Sequence, residues 1–428
     1  MSGVKSRFGC RLPDIANIYR RRLIDRPLAE ALSDLPAVMV VGPRACGKTT
    51  TARRLARTVV RLDREVDAAP FRDDPDTVLA SLDPPVLLDE WQLVPGVLGS
   101  VKRAVDDQPG AGRFLLTGSV RAELLEPTWA ATGRVVRMAM GGMTQRELVG
   151  DVDAGTFFDR IFDGGLDAVG PAQRPVGLKD YVELALRGGF PETALQSSEA
   201  GRRRWLASYV DQLLLRDAAL ADEYRDPVRL RRYLVALAAS TAGVVEHKTL
   251  FDAAGVGRNA AVAYDSLLEL LFISERLPAW HSNRLNRLTR APKRYLVDAA
   301  LMGPLLGVEA RAVLRNGDLL GRIIDTFVVS QLRPEIEASH VQPRLHHLRL
   351  DGGRHECDLI AETADGRIIA IEVKSSAAPK VDHARHLAWL RNELGTKFVA
   401  GIVLHTGPRR FALGERIVAL PISSLWGT

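Results

Sequence analysis

Cysteine is scarce: Cys10, Cys46 and Cys357 are the only three in 428 residues, and no pair has metal-ligand spacing. Three thiols cannot build a disulfide framework, so a bridge-held extracellular scaffold is excluded and a reducing cytoplasm is the expected location. No run approaches the roughly eighteen apolar residues that a membrane-spanning helix needs. The first ten residues, Met1 to Cys10, also lack the apolar segment of a signal peptide. Disorder is excluded as well, since 46% hydrophobic and 26% charged residues describe a chain that folds into a core. At 428 residues that core should divide into two to four domains. The net charge of +6 is carried mostly by arginine, in clusters such as Arg20-Arg21-Arg22, Arg202-Arg203-Arg204 and Arg229 to Arg232. Such an excess permits contact with nucleic acid without demanding it, and arginine-rich coding accounts for it equally well.

What is present begins with Gly42-Pro43-Arg44-Ala45-Cys46-Gly47-Lys48-Thr49, a complete G-x-x-x-x-G-K-[ST] phosphate-binding pattern. It follows the apolar strand-like run Ala37 to Val41 and precedes a helix expected over Thr50 to Thr58. A strand, a tight loop and a helix N-terminus together aim several N–H groups at one point, where the helix dipole adds positive potential. Gly42 and Gly47 let the backbone wrap the phosphates, Lys48 supplies a charge for the β and γ oxygens, and Thr49 offers a hydroxyl to Mg²⁺. The expected ligand is ATP.

Hydrolysis requires a second acidic element, and Pro85-Val86-Leu87-Leu88-Asp89-Glu90 provides it: an apolar strand ending in two carboxylates. Asp89 is expected to hold Mg²⁺ and Glu90 to polarise the attacking water, because most phosphoryl-transfer catalysis is positioning and charge neutralisation. A further strand, Arg113 to Gly118, ends in Thr117-Gly118-Ser119 and should lie beside the phosphate loop. Between the two, Val97 to Val105 has the apolar spacing of a crossover helix.

The order Arg22-Leu23, Gly42-Pro43-Arg44, Gly47-Lys48-Thr49-Thr50, Leu88-Asp89-Glu90-x-Gln92, Leu116-Thr117-Gly118-Ser119, Gly133-Arg134 and Arg146-Glu147-Leu148 resembles a bacterial and archaeal AAA-type ATPase family. In that family a P-loop domain precedes a C-terminal domain of unknown function. The resemblance implies a polar sensor at Thr117 or Ser119 and an arginine finger or sensor at Arg134; a finger supplied in trans would require an oligomer. Two departures stand out: Trp91 replaces a small aliphatic residue, and Gly141-Gly142-Met143-Thr144 replaces a Pro-Leu-Ser turn.

The expected layout is a P-loop parallel sheet over residues 15–150, a linker over 151–177, a helical domain over 178–310 and an α/β domain over 311–428. In the helical part, Tyr181 to Leu186, Trp205 to Leu220 and Pro227 to Ala239 carry apolar residues at three- and four-residue intervals. Arg187-Gly188-Gly189-Phe190-Pro191-Glu192 and Arg216-Asp217 are similar to signature positions of the same family. Helices predicted over 228–240, 247–253 and 259–271, followed by a strand near Arg294, suggest a winged helix. Arg258 and Asn259 are its only good base-reading side chains, so DNA binding, a protein partner and a purely structural use all stay open.

In the last part, Asp358 stands in one strand and Glu372 and Lys374 in the next, with thirteen residues between Asp358 and Glu372 and a turn at Asp365-Gly366. Two-residue periodicity puts Glu372 and Lys374 on one strand face, and the hairpin brings Asp358 beside them. Two carboxylates there suit Mg²⁺, and the lysine suits transition-state charge. Asp325, in a helix expected over Leu319 to Leu332, would complete the set. This arrangement resembles the PD-(D/E)xK restriction-endonuclease-like fold, some of whose members cleave nucleic acid while others only bind or scaffold. His346, His347 and His355 match no metal pattern and are expected to be solvated.

Overall fold

A computed structural model describes residues 19–119, 133–170, 176–196, 198–216 and 226–426. Met1 to Cys10, Asp217 and the last residues of the expected Trp205 to Leu220 helix lie outside the described residues.

Five apolar segments form the first sheet: β1 (Ala37–Val41), β2 (Thr58–Arg61), β3 (Val86–Asp89), β4 (Phe114–Gly118) and β5 (Val136–Ala139). All pairings are parallel, in the order β2-β3-β4-β1-β5. The inner strands β1, β3 and β4 are buried throughout because helices cover both faces. Met39, Leu88 and Leu116 pack with Val97, Leu98 and Val101 of the helix Val97–Asp107. Val38, Val40, Leu87 and Leu115 face Leu28 and Leu32 of the helix Asp25–Asp34. The helix after the phosphate loop is shorter than expected: it runs Lys48–Ala52, and Thr58 opens β2 instead. Thr49, Thr50 and Thr51 are β-branched and add little helical propensity, so the segment ends early.

The described part of the expected linker over 151–177 is not open chain throughout. It contains the helix Phe157–Gly164, with Phe157, Phe158 and Ile161 fully buried. The Gly- and Asp-rich composition around it hid the i, i+1, i+4 apolar face. The middle region then runs through the helices Leu178–Arg187, Glu199–Arg216, Pro227–Ala239, His247–Ala254 and Arg258–Leu270. It closes with an antiparallel hairpin of β6 (Ser274–Leu277) and β7 (Lys293–Leu296).

The helix Gly317–Ala338 leads into a mixed six-stranded sheet. Its strands are β8 (Arg344–Leu350), β9 (His355–Glu362), β10 (Ile368–Lys374), β11 (Phe398–His405), β12 (Phe411–Gly414) and β13 (Ile417–Pro421), in the order β12-β13-β11-β10-β9-β8. β9 and β10 form the expected antiparallel hairpin, with Leu359 opposite Ile371, and β10 pairs in parallel with β11. Ile368 and Ala370 face Leu387 and Leu390 of the helix Arg385–Leu394. Ile369 and Ile371 join a hydrophobic cluster that runs unbroken from Phe157 through the middle helices to Leu425. The expected border at 310/311 is therefore not a border between cores. No helix among the described residues is long and apolar enough to cross a membrane.

Candidate functional site

The phosphate loop leaves the carboxyl end of β1, flanked by the ends of β4 and β5. Gly42 is at φ +155°, and a Cβ there would lie 2.0 Å from the Met140 carbonyl oxygen, so only glycine fits. Lys48 folds back over its own loop, its Nζ donating to Gly42 O at 2.9 Å and Pro43 O at 2.8 Å. The loop is braced from outside by Arg22, which donates to Cys46 O and Gly141 O at 2.8 Å each. Arg22 Nε lies 3.0 Å from Glu147 Oε1, and both side chains are buried. Glu147 in turn accepts the backbone N–H groups of Leu23 and Thr144, both at 2.7 Å. The dispersed motif pieces Arg22-Leu23 and Arg146-Glu147 thus meet behind the loop, a role their separation in sequence does not announce.

Beneath the loop, Asp89 Oδ1 accepts hydrogen bonds from Thr49 Oγ1 at 2.7 Å and Thr117 Oγ1 at 2.5 Å. Asp89 is 3% exposed, so these hydroxyls carry much of its solvation. A hydroxyl and a carboxylate side by side form a hard oxygen donor set, which fits Mg²⁺. Glu90 follows in the left-handed region at φ 54°, which turns its side chain out of the strand. Its Oε2 accepts from Gln92 Nε2 and, at 3.4 Å, from Ser119 Oγ. Thr117 and Ser119 therefore serve different carboxylates, a division that spacing alone leaves open.

Arg134 is the exception. It precedes β5, whose Val136 pairs with Val38, so it stands at the amino end of the sheet. The loop lies at the carboxyl end, about 20 Å away by strand rise. Arg134 pairs there with Asp106 at 2.8 Å. The chain does not bring it to its own phosphate loop.

The C-terminal carboxylates do converge, around a residue the motif reading missed. Lys293 Nζ donates to Asp325 Oδ2 at 2.7 Å and to Asp358 Oδ1 at 2.9 Å. Asp358 Oδ2 accepts the Val373 N–H at 2.9 Å, Tyr295 OH donates to Asp325 Oδ1 at 3.1 Å, and Lys374 Nζ donates to Glu372 Oε1 at 2.7 Å. Glu372 Oε2 is buried with no partner among the described residues. Burial, then the Asp358 charge, pushes the Glu372 carboxyl up to about 8. Burial also raises Asp325 to about 6 against the pull of Lys293. Burial opposes the charge of Asp358 too, but Lys293 and the Val373 N–H outweigh it and hold that carboxyl below its usual value. No sequence pattern links position 293 to the hairpin; only the alternation of Lys293 and Tyr295 along β7 hints at a shared direction.

Two of the three histidines are buried rather than solvated, and His355 is half-buried. His346 and His347 are 8% and 2% exposed, and burial pushes both down to about 4. His355 stacks on Trp389 with ring centroids 3.9 Å apart. His347 Nε2 lies 3.1 Å from the Ala291 carbonyl oxygen, and His346 lines a cavity.

Comparison with known proteins follows the same division. Residues 34–149 match the AAA domain family, residues 178–312 match one domain of unknown function (DUF8612), and residues 320–425 match another (DUF4143). Uncharacterized proteins of Mycobacterium tuberculosis and Mycobacterium bovis are each 27% identical over 441 aligned positions, spanning all of this chain and 88% of theirs. A Walker-type ATPase of Pyrococcus abyssi aligns over 68% of this chain and 97% of its own at 15% identity, with a TM-score of 0.42. RuvB of Thermotoga maritima aligns over 64% and 90% at 18% identity, with a TM-score of 0.29. In its layout the chain is similar to an AAA-type P-loop ATPase followed by C-terminal domains of unknown function.

Proposed function

We propose that this chain is a Mg²⁺-dependent ATPase that couples hydrolysis to action on DNA or a protein partner. The observation that carries the reading is the hydrogen-bonded Thr49–Asp89–Thr117 cluster below the loop, with Glu90 held beside it. Thr49 and Asp89 would hold the metal, which neutralises charge on the phosphate oxygens. Lys48 would exchange two loop carbonyls for a phosphate oxygen, and residues 44–50 would supply backbone donors, Pro43 having no N–H. Glu90 orients and polarises the attacking water, while Gln92 and Ser119 hold its carboxylate in place.

Transmission has a physical route. Gln145 N donates to Gln331 Oε1 at 2.7 Å, and Arg146 pairs with Glu335. Both partners lie on the helix Gly317–Ala338, so a shift around the loop reaches the C-terminal region through that helix. A cavity of about 610 Å³ lies between Gly42 and Pro43 on one side and Phe327, Gln331 and Pro334 on the other, which leaves room for such a shift. The middle region, read as winged-helix-like, would meet the partner.

Phosphate release with Mg²⁺, for wild type and Glu90→Gln and with and without duplex DNA, tests this reading. We expect turnover to fall by about 10²–10⁴-fold in the variant with ATP binding retained. Unchanged turnover would remove Glu90 from its role, and indifference to DNA would move the weight to a protein partner. A second reading, a nucleotide-controlled regulator whose nuclease-like domain is silent, draws support from Lys293 lying among the C-terminal carboxylates. The same contact weighs against a third, an ATP-gated nuclease using Asp358, Glu372 and Lys374.

A further inference from the structure

The restriction-endonuclease-like arrangement implies a divalent metal among its carboxylates, and the Asp325–Asp358 pair does not fit one. Mg²⁺ demands near-octahedral oxygen ligands at about 2.0–2.1 Å. The space between Asp325 and Asp358 instead contains an ammonium nitrogen, within 2.9 Å of an oxygen from each. A metal ion there would meet both the bulk and the charge of Lys293.

We propose that Lys293 is a built-in cation, standing where a divalent metal would otherwise bridge Asp325 and Asp358 and excluding it. Three features separate this from a surface ion pair. Lys293 is 3% exposed, so its ammonium has exchanged water for the two carboxylates. Its backbone is fixed in register, opposite Leu277 of β6. Its neighbours pin the hairpin on both faces: Tyr295 points the same way onto Asp325, while Arg294 points the other way and donates to Asp265 Oδ2 at 3.2 Å. Withdrawing the lysine therefore means moving the β6–β7 hairpin, not turning one side chain. Lys374 already supplies a lysine on the far side, paired with Glu372. The chain thus commits a second cation, from a different region, to the remaining carboxylates.

The test is Mn²⁺ binding to the nucleotide-free full-length protein, followed by the electron paramagnetic resonance of free Mn²⁺. It reads metal occupancy and does not depend on ATP turnover, so its failure and that of the ATPase reading are separable. Wild type and Asp358→Asn should bind identically up to about millimolar metal. Lys293→Met should gain one site, about tenfold or more tighter than any in wild type, and Lys293→Met/Asp358→Asn should lose it again. The proposal is overturned if wild type binds Mn²⁺ at a site that Asp358→Asn weakens, or if folded Lys293→Met gains none. Should Lys293→Met fail to fold, the comparison of wild type with Asp358→Asn still decides.

Discussion

The Arg146 guanidinium and the Glu335 carboxylate meet at 2.9 and 3.0 Å, both shielded from solvent, and join the P-loop region to the helix Gly317–Ala338. Glu335 also accepts the Phe157 N–H at 2.9 Å, so one carboxylate gathers three segments. Glu335→Gln leaves the guanidinium with only the more exposed Asp151 carboxylate, 3.8 Å from its Nε, as counter-charge and should cost about 3 kcal/mol of stability. Replacing both with apolar residues of similar volume should recover most of that. Urea unfolding of the three proteins measures both numbers, and a single-variant loss under about 1 kcal/mol would mean the pair behaves as an exposed one.

Lys48→Ala should separate binding from folding. Its ammonium is bonded to the carbonyls of its own loop, so the nucleotide-free variant should lose about 1–3 kcal/mol from those unpaired acceptors and still fold. With ATP at a hundred times its Kd, wild type should gain about 2.7 kcal/mol and the variant essentially nothing. Thermal shift against ATP concentration gives the answer, and an undiminished shift would argue that the loop binds without its lysine.

Arg134→Ala should leave ATP turnover within about twofold and stability within about 0.5 kcal/mol, as for an exposed ion pair away from the site. The informative measurement is turnover against protein concentration. A loss that appears only in concentrated protein would restore Arg134 as a finger supplied to a neighbouring copy.

Acid should weaken the fold through His347. Burial holds its ring well below the usual 6.5, at about 4, although its bond to the Ala291 carbonyl pulls the other way; Lys293, His346 and Arg349 add to the downward push. A depressed folded value means the unfolded chain takes up the proton first. The contribution is therefore fully present above about 6.5 and is lost as pH falls toward 4. His347→Gln should flatten the unfolding free energy between about pH 7 and pH 5 relative to wild type; parallel curves would assign the slope to other groups.

Much of the site was legible because its parts are local. The phosphate loop is eight consecutive residues, Asp89-Glu90 caps one strand, and Glu372 and Lys374 differ by a single strand period. The buried apolar runs of β1, β3 and β4 announce a sheet covered on both faces, and the middle helices follow their 3.6-residue spacing. The linker reading of 151–177 failed for a local reason as well. The helix Phe157–Gly164 is barely two turns long and is surrounded by glycine and aspartate.

What the tertiary structure alone decided is which distant charges meet. Arg22 finds Glu147, Arg146 finds Glu335 across 189 positions, and Lys293 finds Asp325 and Asp358 from a different hairpin. It also carried Arg134 to the end of the sheet away from the loop its motif suggested. Sequence periodicity fixes which face of an element a side chain occupies, because backbone geometry repeats over a few residues. It does not encode which other face that one is pressed against. That choice belongs to packing of the whole chain, where each buried charge requires a partner.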